Sequence, residues 1–317
     1  MPILISEGLL RRHPKVLMPG STARLAALVA AFVAMPLVAS AQAGDVESVL
    51  VPQRILLEGS MTRAQAERAA GENAMAEAVR RVAGVRVSGS ELMMSGDSSG
   101  TITSRYLASV RVDAEGHVVG WSLERGRWST EQRGHSSAAL VYDAAVRVLV
   151  ARDAGRADDG FRLAVRLGSP ERLLVRGTAL AGNDEVIVML TATRDAFLTL
   201  VAMSGDSVAR LAPNPVVRDA RITAGVESAW PSNEWRERGL HFRVALPTGI
   251  AARTEVVAAV ATLDAAPWPR DDGGPIALAD FNRWLVAIPA SQRAVAQRTV
   301  MVERTGVETM KEMAERR

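Results

Sequence analysis

Between Trp230 and Arg238 the chain reads Trp-Pro-Ser-Asn-Glu-Trp-Arg-Glu-Arg, which gathers two indoles and two pairable guanidinium groups in a short polar stretch. Trp and Arg dominate the energetics of protein interfaces, because each joins a large contact area to a polar or charged end. Trp230, Trp235, Arg236 and Arg238 are therefore the candidate binding residues. A competing structural reading makes Trp230 the cap of a β core and leaves the others solvated. A third makes Trp230 and Trp235 the platform for a glycan or another small ligand.

Catalytic chemistry has less to stand on. The chain carries no phosphate-binding Walker loop, no G-x-G-x-x-G, no H-E-x-x-H and no G-x-S-x-G. It has no cysteine, which removes thiol nucleophiles and zinc–thiolate sites, and also removes disulfides and a lipoprotein anchor. His117, His135 and His241 lie in three separate segments, and none has a second histidine three or four residues away. Ser207 follows Gly205-Asp206 but lacks the strand–turn–helix setting of a nucleophile elbow. Asp271-Asp272-Gly273-Gly274 lacks the alternating oxygen ligands and closing glutamate of a calcium loop, and reads as a solvated turn. The expectation is a protein without catalytic residues, cofactor or metal. An envelope hydrolase acting on glycan is the alternative, since a carboxylate pair is set by the fold and leaves no local signature.

The start of the chain reads as an export signal over residues 1–43. Arg11, Arg12, Lys15 and Arg24 precede the apolar run Leu25 to Val38, and Ala39-Ser40-Ala41-Gln42-Ala43 supplies overlapping small-x-small cleavage sites. That run is shorter than the roughly 20 residues a spanning helix needs. The order predicts cleavage after Ala41 or Ala43, a periplasmic or secreted product, no stable membrane anchor and no part for this region in the fold. Met18 is an alternative start. Residues 1–43 hold four of the 38 basic and one of the 35 acidic residues, so the remainder carries 34 of each. A nucleic-acid partner needs a basic face, and this balance offers none. Lys15 and Lys311 are the only lysines, a bias that fits a GC-rich genome better than arginine chemistry.

Elements that would position these residues follow from pattern. Val49 to Leu57 is a β-leaning run broken by Pro52. Thr62-x-x-Gln65 has the form of a capping box. It opens a helix over Arg63 to Val82, in which Ala66, Ala70, Ala74, Ala78 and Val82 recur every four residues and Gly84 marks the stop. A Ser/Gly-rich stretch follows from Ser88 to Gly100. Strands are predicted near Thr101 to Val112, His117 to Trp128 and Ala138 to Val150, the last two as a hairpin around Ser129 to Ser136.

The charged, aperiodic stretch Arg152 to Gly160 is the expected boundary between units at 44–155 and 160–303. Beyond it, many short strands with Pro- and Gly-bearing turns predict an antiparallel sandwich, with a short helix from Leu278 to Ile288 and a return strand from Val295 to Glu303. Residues 304–317 read as a polar tail. The expected class is α+β: one alanine-rich helix on an antiparallel sheet, then the β-sandwich.

The second unit carries a recognisable order of landmarks. These are Arg194-Asp195-Ala196-Phe197-Leu198-Thr199-Leu200, Leu211-Ala212-Pro213-Asn214, Ile222-Thr223-Ala224-Gly225, Trp230-Pro231-Ser232 and Glu255-Val256-Val257-Ala258-Ala259-Val260-Ala261-Thr262. Over 161–302 the chain thereby resembles the family termed domain of unknown function 4384. The alanine helix, Val85-Arg86-Val87 and the Gly116-His117-Val118-Val119-Gly120-Trp121 step more weakly resemble the N-terminal α/β module of flagellar-ring and related envelope proteins. These resemblances imply a non-enzymatic envelope context, with envelope or cell-surface assembly proteins as partners. They assign no reaction and no ligand role to the proline–serine step.

Overall fold

The computed structural model describes residues 3–7, 45–57, 61–83, 116–133, 137–177, 179–270 and 272–305. Most of the expected export signal, the stop at Gly84, the strand expected over Thr101 to Val112, His135, Asp271 and most of the 304–317 tail lie outside these residues. The first strand, β1 (Ile3–Glu7), pairs with a strand of the second unit. That differs from the expectation that nothing before residue 44 joins the fold.

In the first unit, β2 (Val46–Leu56), β3 (Gly116–Arg133) and β4 (Ser137–Arg152) form an antiparallel sheet in the order β2-β4-β3. Pro52 does not break β2, which stays in register with Ala145 opposite it. The reason is position: β2 is an edge strand, where a missing N–H leaves no ladder partner unserved. The hairpin strands run beyond the expected turn limits, to Arg133 and back from Ser137. Helix α1 (Arg63–Ala83) lies across this sheet. Its capping box forms as read, with Thr62 N–H donating to Gln65 Oε1 (2.7 Å) and Gln65 N–H donating to Thr62 Oγ1 (3.2 Å). Ala70, Ala74 and Ala78 are fully buried against Val51, Val146 and Val148, so the small-residue stripe brings the helix axis close to the strands.

The second unit holds β5 (Leu163–Leu167), β6 (Arg172–Val175), β7 (Val188–Ala192), β8 (Ala196–Ser204), β9 (Ser207–Ala212), β10 (Arg221–Ile222) and β11 (Ser228–Trp230). After them come α2 (Asn233–Glu237), β12 (Leu240–Val244), β13 (Ala252–Thr262), β14 (Ile276–Ala277), α3 (Leu278–Ala287) and β15 (Arg293–Arg304). One sheet runs β14-β9-β8-β13-β15-β6 with β10 attached to β8, and β11-β7-β5 forms a second. Leu198, Leu200, Val257 and Val300 of the large sheet meet Val165, Val188 and Leu190 of the small one in a single core. The fold is α+β and mostly antiparallel, as read from the pattern. One pair departs from that reading: β15 and β6 are parallel. Parallel neighbours need a long crossover, and nearly the whole second unit intervenes between these two strands.

The large sheet is buried on both faces. Val201, Met203, Val256, Ala258 and Val260 pack beneath Trp268 and the α3 residues Phe281, Trp284 and Leu285. The opposite flank of α3 meets the first unit, where Val286 packs with Val119 and Ala151, and Asn282 Nδ2 donates to the Val118 carbonyl (2.8 Å).

Arg293, at the start of β15, donates to the carbonyls of Leu285 and Ile288 at the end of α3 and pairs with Asp153. Asp153 in turn lies 3.1 Å from His117 Nε2. Burial pushes the Asp153 carboxyl up, but the hydrogen bonds and charges of His117 and Arg293 outweigh it and hold the group below the ordinary carboxylate range. The segment expected as a boundary is thus tied down at Asp153, and again where Ala290 N–H donates to the Ala154 carbonyl (3.1 Å).

Asn214 and Gly225 act through backbone conformation. The Asn214 carboxamide donates to Leu211 O (2.7 Å) and accepts from the N–H groups of Val216 and Val217 (2.9 and 2.8 Å), closing the turn that follows β9. Gly225 sits at φ +70°, and a Cβ placed there would meet only open space, so side-chain volume is not its constraint. Gly225→Val should lower stability by about 1–3 kcal/mol, since a β-branched residue resists positive φ. An unchanged melting temperature would remove the backbone argument.

Candidate protein interface

The Trp/Arg stretch forms a corner of the sandwich rather than the polar loop expected from its composition. Ser232 accepts a hydrogen bond from Trp235 N–H on its Oγ (3.3 Å) and from Arg236 N–H on its carbonyl (3.0 Å). This capping folds Asn233–Glu237 into the single helical turn α2. A local hydroxyl overrides a sequence with no apolar period.

Of the four candidates, Trp230 is 8% exposed and belongs to the sandwich core, with its Nε1–H donating to Ser228 Oγ (3.2 Å). It anchors the corner and offers almost no surface. Trp235 is half-buried against the same core. The Arg238 guanidinium stacks 5.1 Å over its ring and donates to Glu234 Oε1 (2.6 Å). Arg236 turns inward, with Nε 3.2 Å from both oxygens of Glu185. His241 Nδ1 lies 3.2 Å from Glu185 Oε1, so one largely buried carboxylate binds α2 to β12.

The structure therefore brings Trp235, Arg236 and Arg238 together and sets Trp230 beneath them. What remains outside is part of Trp235, with the exposed Arg238 over its ring and the exposed Asn233, Glu234 and Glu237 beside it. A cation–π pair at a surface contributes about 0.5–1 kcal/mol, which favours this orientation of the indole a few-fold. Glu185 and the edge of β12 escaped sequence reasoning. The alternation Leu240-His241-Phe242-Arg243-Val244 marks a strand, but nothing local shows that Glu185 meets it.

Three other residues weighed from the sequence, His117, Ser207 and Asp272, lie within the described residues. His117 is buried in the seam with Asp153 and Arg293. Ser207 opens β9 opposite Ser204 and Ala277. Asp272 accepts from Gly274 N–H (2.9 Å) and pairs with Arg270, a turn in which Gly273 takes φ +67°. Among the described residues, no three His, Asp or Glu side chains converge to hold a metal. One buried acid was not foreseen: Glu255 on β13 is 0% exposed, with Arg253 Nε 3.3 Å from its Oε1. No helix of the described residues is long and apolar enough to cross a membrane. Neither any family model nor any curated protein matches this chain.

Proposed function

We propose that this protein is an exported, non-catalytic envelope protein that binds another protein through the corner formed by α2 and β12. The observation that carries the reading is the composition of that corner. An indole is held in place by Arg238, set on a rigid core by Trp230, and ringed by exposed groups of both charges. Such a centre-and-rim arrangement fits a protein partner. A sugar platform of paired indoles is less well supported, because Trp230 is buried. Membership of residues 161–302 in domain of unknown function 4384, the envelope-type character of the first unit, and export with cleavage near Ala41 or Ala43 belong to the same proposal. The charged, apolar and small-residue order of residues 11–43 supports the export step.

The test is affinity purification of the processed protein from its native envelope, with wild type beside Trp235→Ala/Arg236→Ala. A partner held by the wild type and at least about tenfold depleted in the double variant is expected, as for loss of an interface anchor. Recovery of no partner, with turnover of a cell-wall glycan abolished by one Asp or Glu substitution, would overturn the reading in favour of a hydrolase.

A further inference from the structure

Strand β12 is paired along both edges, and both neighbours come from distant sequence. On one side Val186 N–H donates to Phe242 O (2.8 Å) and Val244 N–H donates to Asp184 O (3.1 Å). Backbone groups alternate in direction along a strand, so those of His241 and Arg243 serve the other side. There β1 lies antiparallel, from Ile3 opposite Val244 to Glu7 opposite Leu240. Among the described residues no other strand reaches that edge.

The edge is backed by apolar residues and bordered by the candidate corner. Leu240, Phe242 and Val244 are buried in the sandwich core. On the alternate positions His241 faces Glu185, and Arg243 Nη1 donates to Asn183 O (2.7 Å). Helix α2 packs directly against the strand. The segment filling this edge is also the one that the export reading removes. Cleavage after Ala41 or Ala43 deletes Ile3–Glu7, and initiation at Met18 omits it altogether. Either event leaves the N–H and C=O groups of His241 and Arg243 without strand partners on a preformed edge. An edge in that state is a template for another strand.

We infer that the edge of β12 is a strand-acceptor site, filled by Ile3–Glu7 in the full chain and, once residues 1–43 are gone, by an extended segment of a partner protein. The inference rests on the adaptor reading and names how the partner is held. Main-chain hydrogen bonds give the affinity, and alternate positions give the selectivity. Directly opposed residues of an antiparallel pair share a face, so the partner needs apolar residues opposite Phe242 and Val244, the register positions of Ile5 and Ile3. The five-residue register of Ile-Leu-Ile-Ser-Glu sets the length recognised.

The processed protein, purified from the envelope, should bind a fluorescent peptide of residues 1–9 in an anisotropy titration. The same peptide carrying Leu4→Pro should bind about tenfold more weakly or worse, because the ring removes an N–H from the new ladder. In the full chain, which has no native cysteine, Ser6→Cys/His241→Cys should form a disulfide, since these residues are directly opposed. Absence of that crosslink, failure of the processed protein to take up the peptide, or binding indifferent to the proline would each overturn the site. So would a processed protein that pairs with a second copy at this edge and takes no peptide. A partner captured from the envelope without peptide binding overturns the strand site and leaves the adaptor reading standing. Displacement of that partner by the peptide supports both.

Discussion

Arg293→Met should destabilise the fold by about 3–5 kcal/mol, the range seen when one member of a buried ion pair is removed. Arg293 is 7% exposed and serves three acceptors at once: the Asp153 carboxylate and the carbonyls of Leu285 and Ile288. Methionine fills a similar volume and satisfies none of them. Both carbonyls then lose the guanidinium, Leu285 O retaining the Ile288 N–H (3.2 Å), and among the described residues Asp153 retains His117. The loss falls where α3 joins the two units, so the urea midpoint of the full chain is the measurement. Arg298→Met on the same strand is the control, since Arg298 is exposed and a surface change of this kind stays within about 0.5 kcal/mol. Adding Asp153→Asn to the Arg293→Met chain removes the stranded charge and should recover part of the loss. Equal midpoints for Arg293→Met and the control would show that the seam contributes no stability.

Raising the pH from about 5 to 8 should also weaken the fold, and Glu255 is the cause. Burial pushes its carboxyl up to about 7, a rise only partly opposed by the Arg253 guanidinium and the Ser204 hydroxyl. Among the described residues neither carboxyl oxygen has a well-formed hydrogen bond. The folded chain holds this proton after the unfolded chain has released it, so the unfolded state binds fewer protons between pH 4.5 and 7. Stability is therefore fully present below the ordinary glutamate range and falls as pH rises through about 7, by roughly 3 kcal/mol in all.

Asp153 has the opposite sign, because its carboxyl is held low. Its contribution is present above the ordinary aspartate range and is lost in acid, outside this window. Glu255→Gln keeps the shape without the ionisation, so it should flatten the decline and be more stable than wild type at pH 8. Parallel stability curves for the two chains between pH 5 and 8 would sink this account.

Elements with local causes were legible in the sequence. The capping box at Thr62 and Gln65 and the four-residue recurrence of alanine located α1 to within a residue, because N–H satisfaction and helical periodicity are properties of neighbours. Buried strands such as β8 and β13 showed as short apolar runs set off by Pro- and Gly-bearing turns. The candidate corner was only half legible. Trp235, Arg236 and Arg238 appeared together because they are consecutive on one turn, whereas Glu185, which binds that turn to β12, lies far upstream without a motif.

What the sequence determined by itself is the α+β class, the alanine-rich helix that follows the first strand of its sheet, and the lack of cysteine, all of which depend on composition and short-range pattern. The tertiary structure decided which side chains meet. It set His117, Asp153, Asn282 and Arg293, from four separate segments, into one seam. It buried Glu255 within the sandwich, paired β15 in parallel with β6, and laid Ile3–Glu7 along β12. Each of these is a long-range contact, fixed by how the layers stack and which strand edges remain open. Residue spacing carries no record of such choices, because they are made only when a whole apolar face finds the surface that covers it.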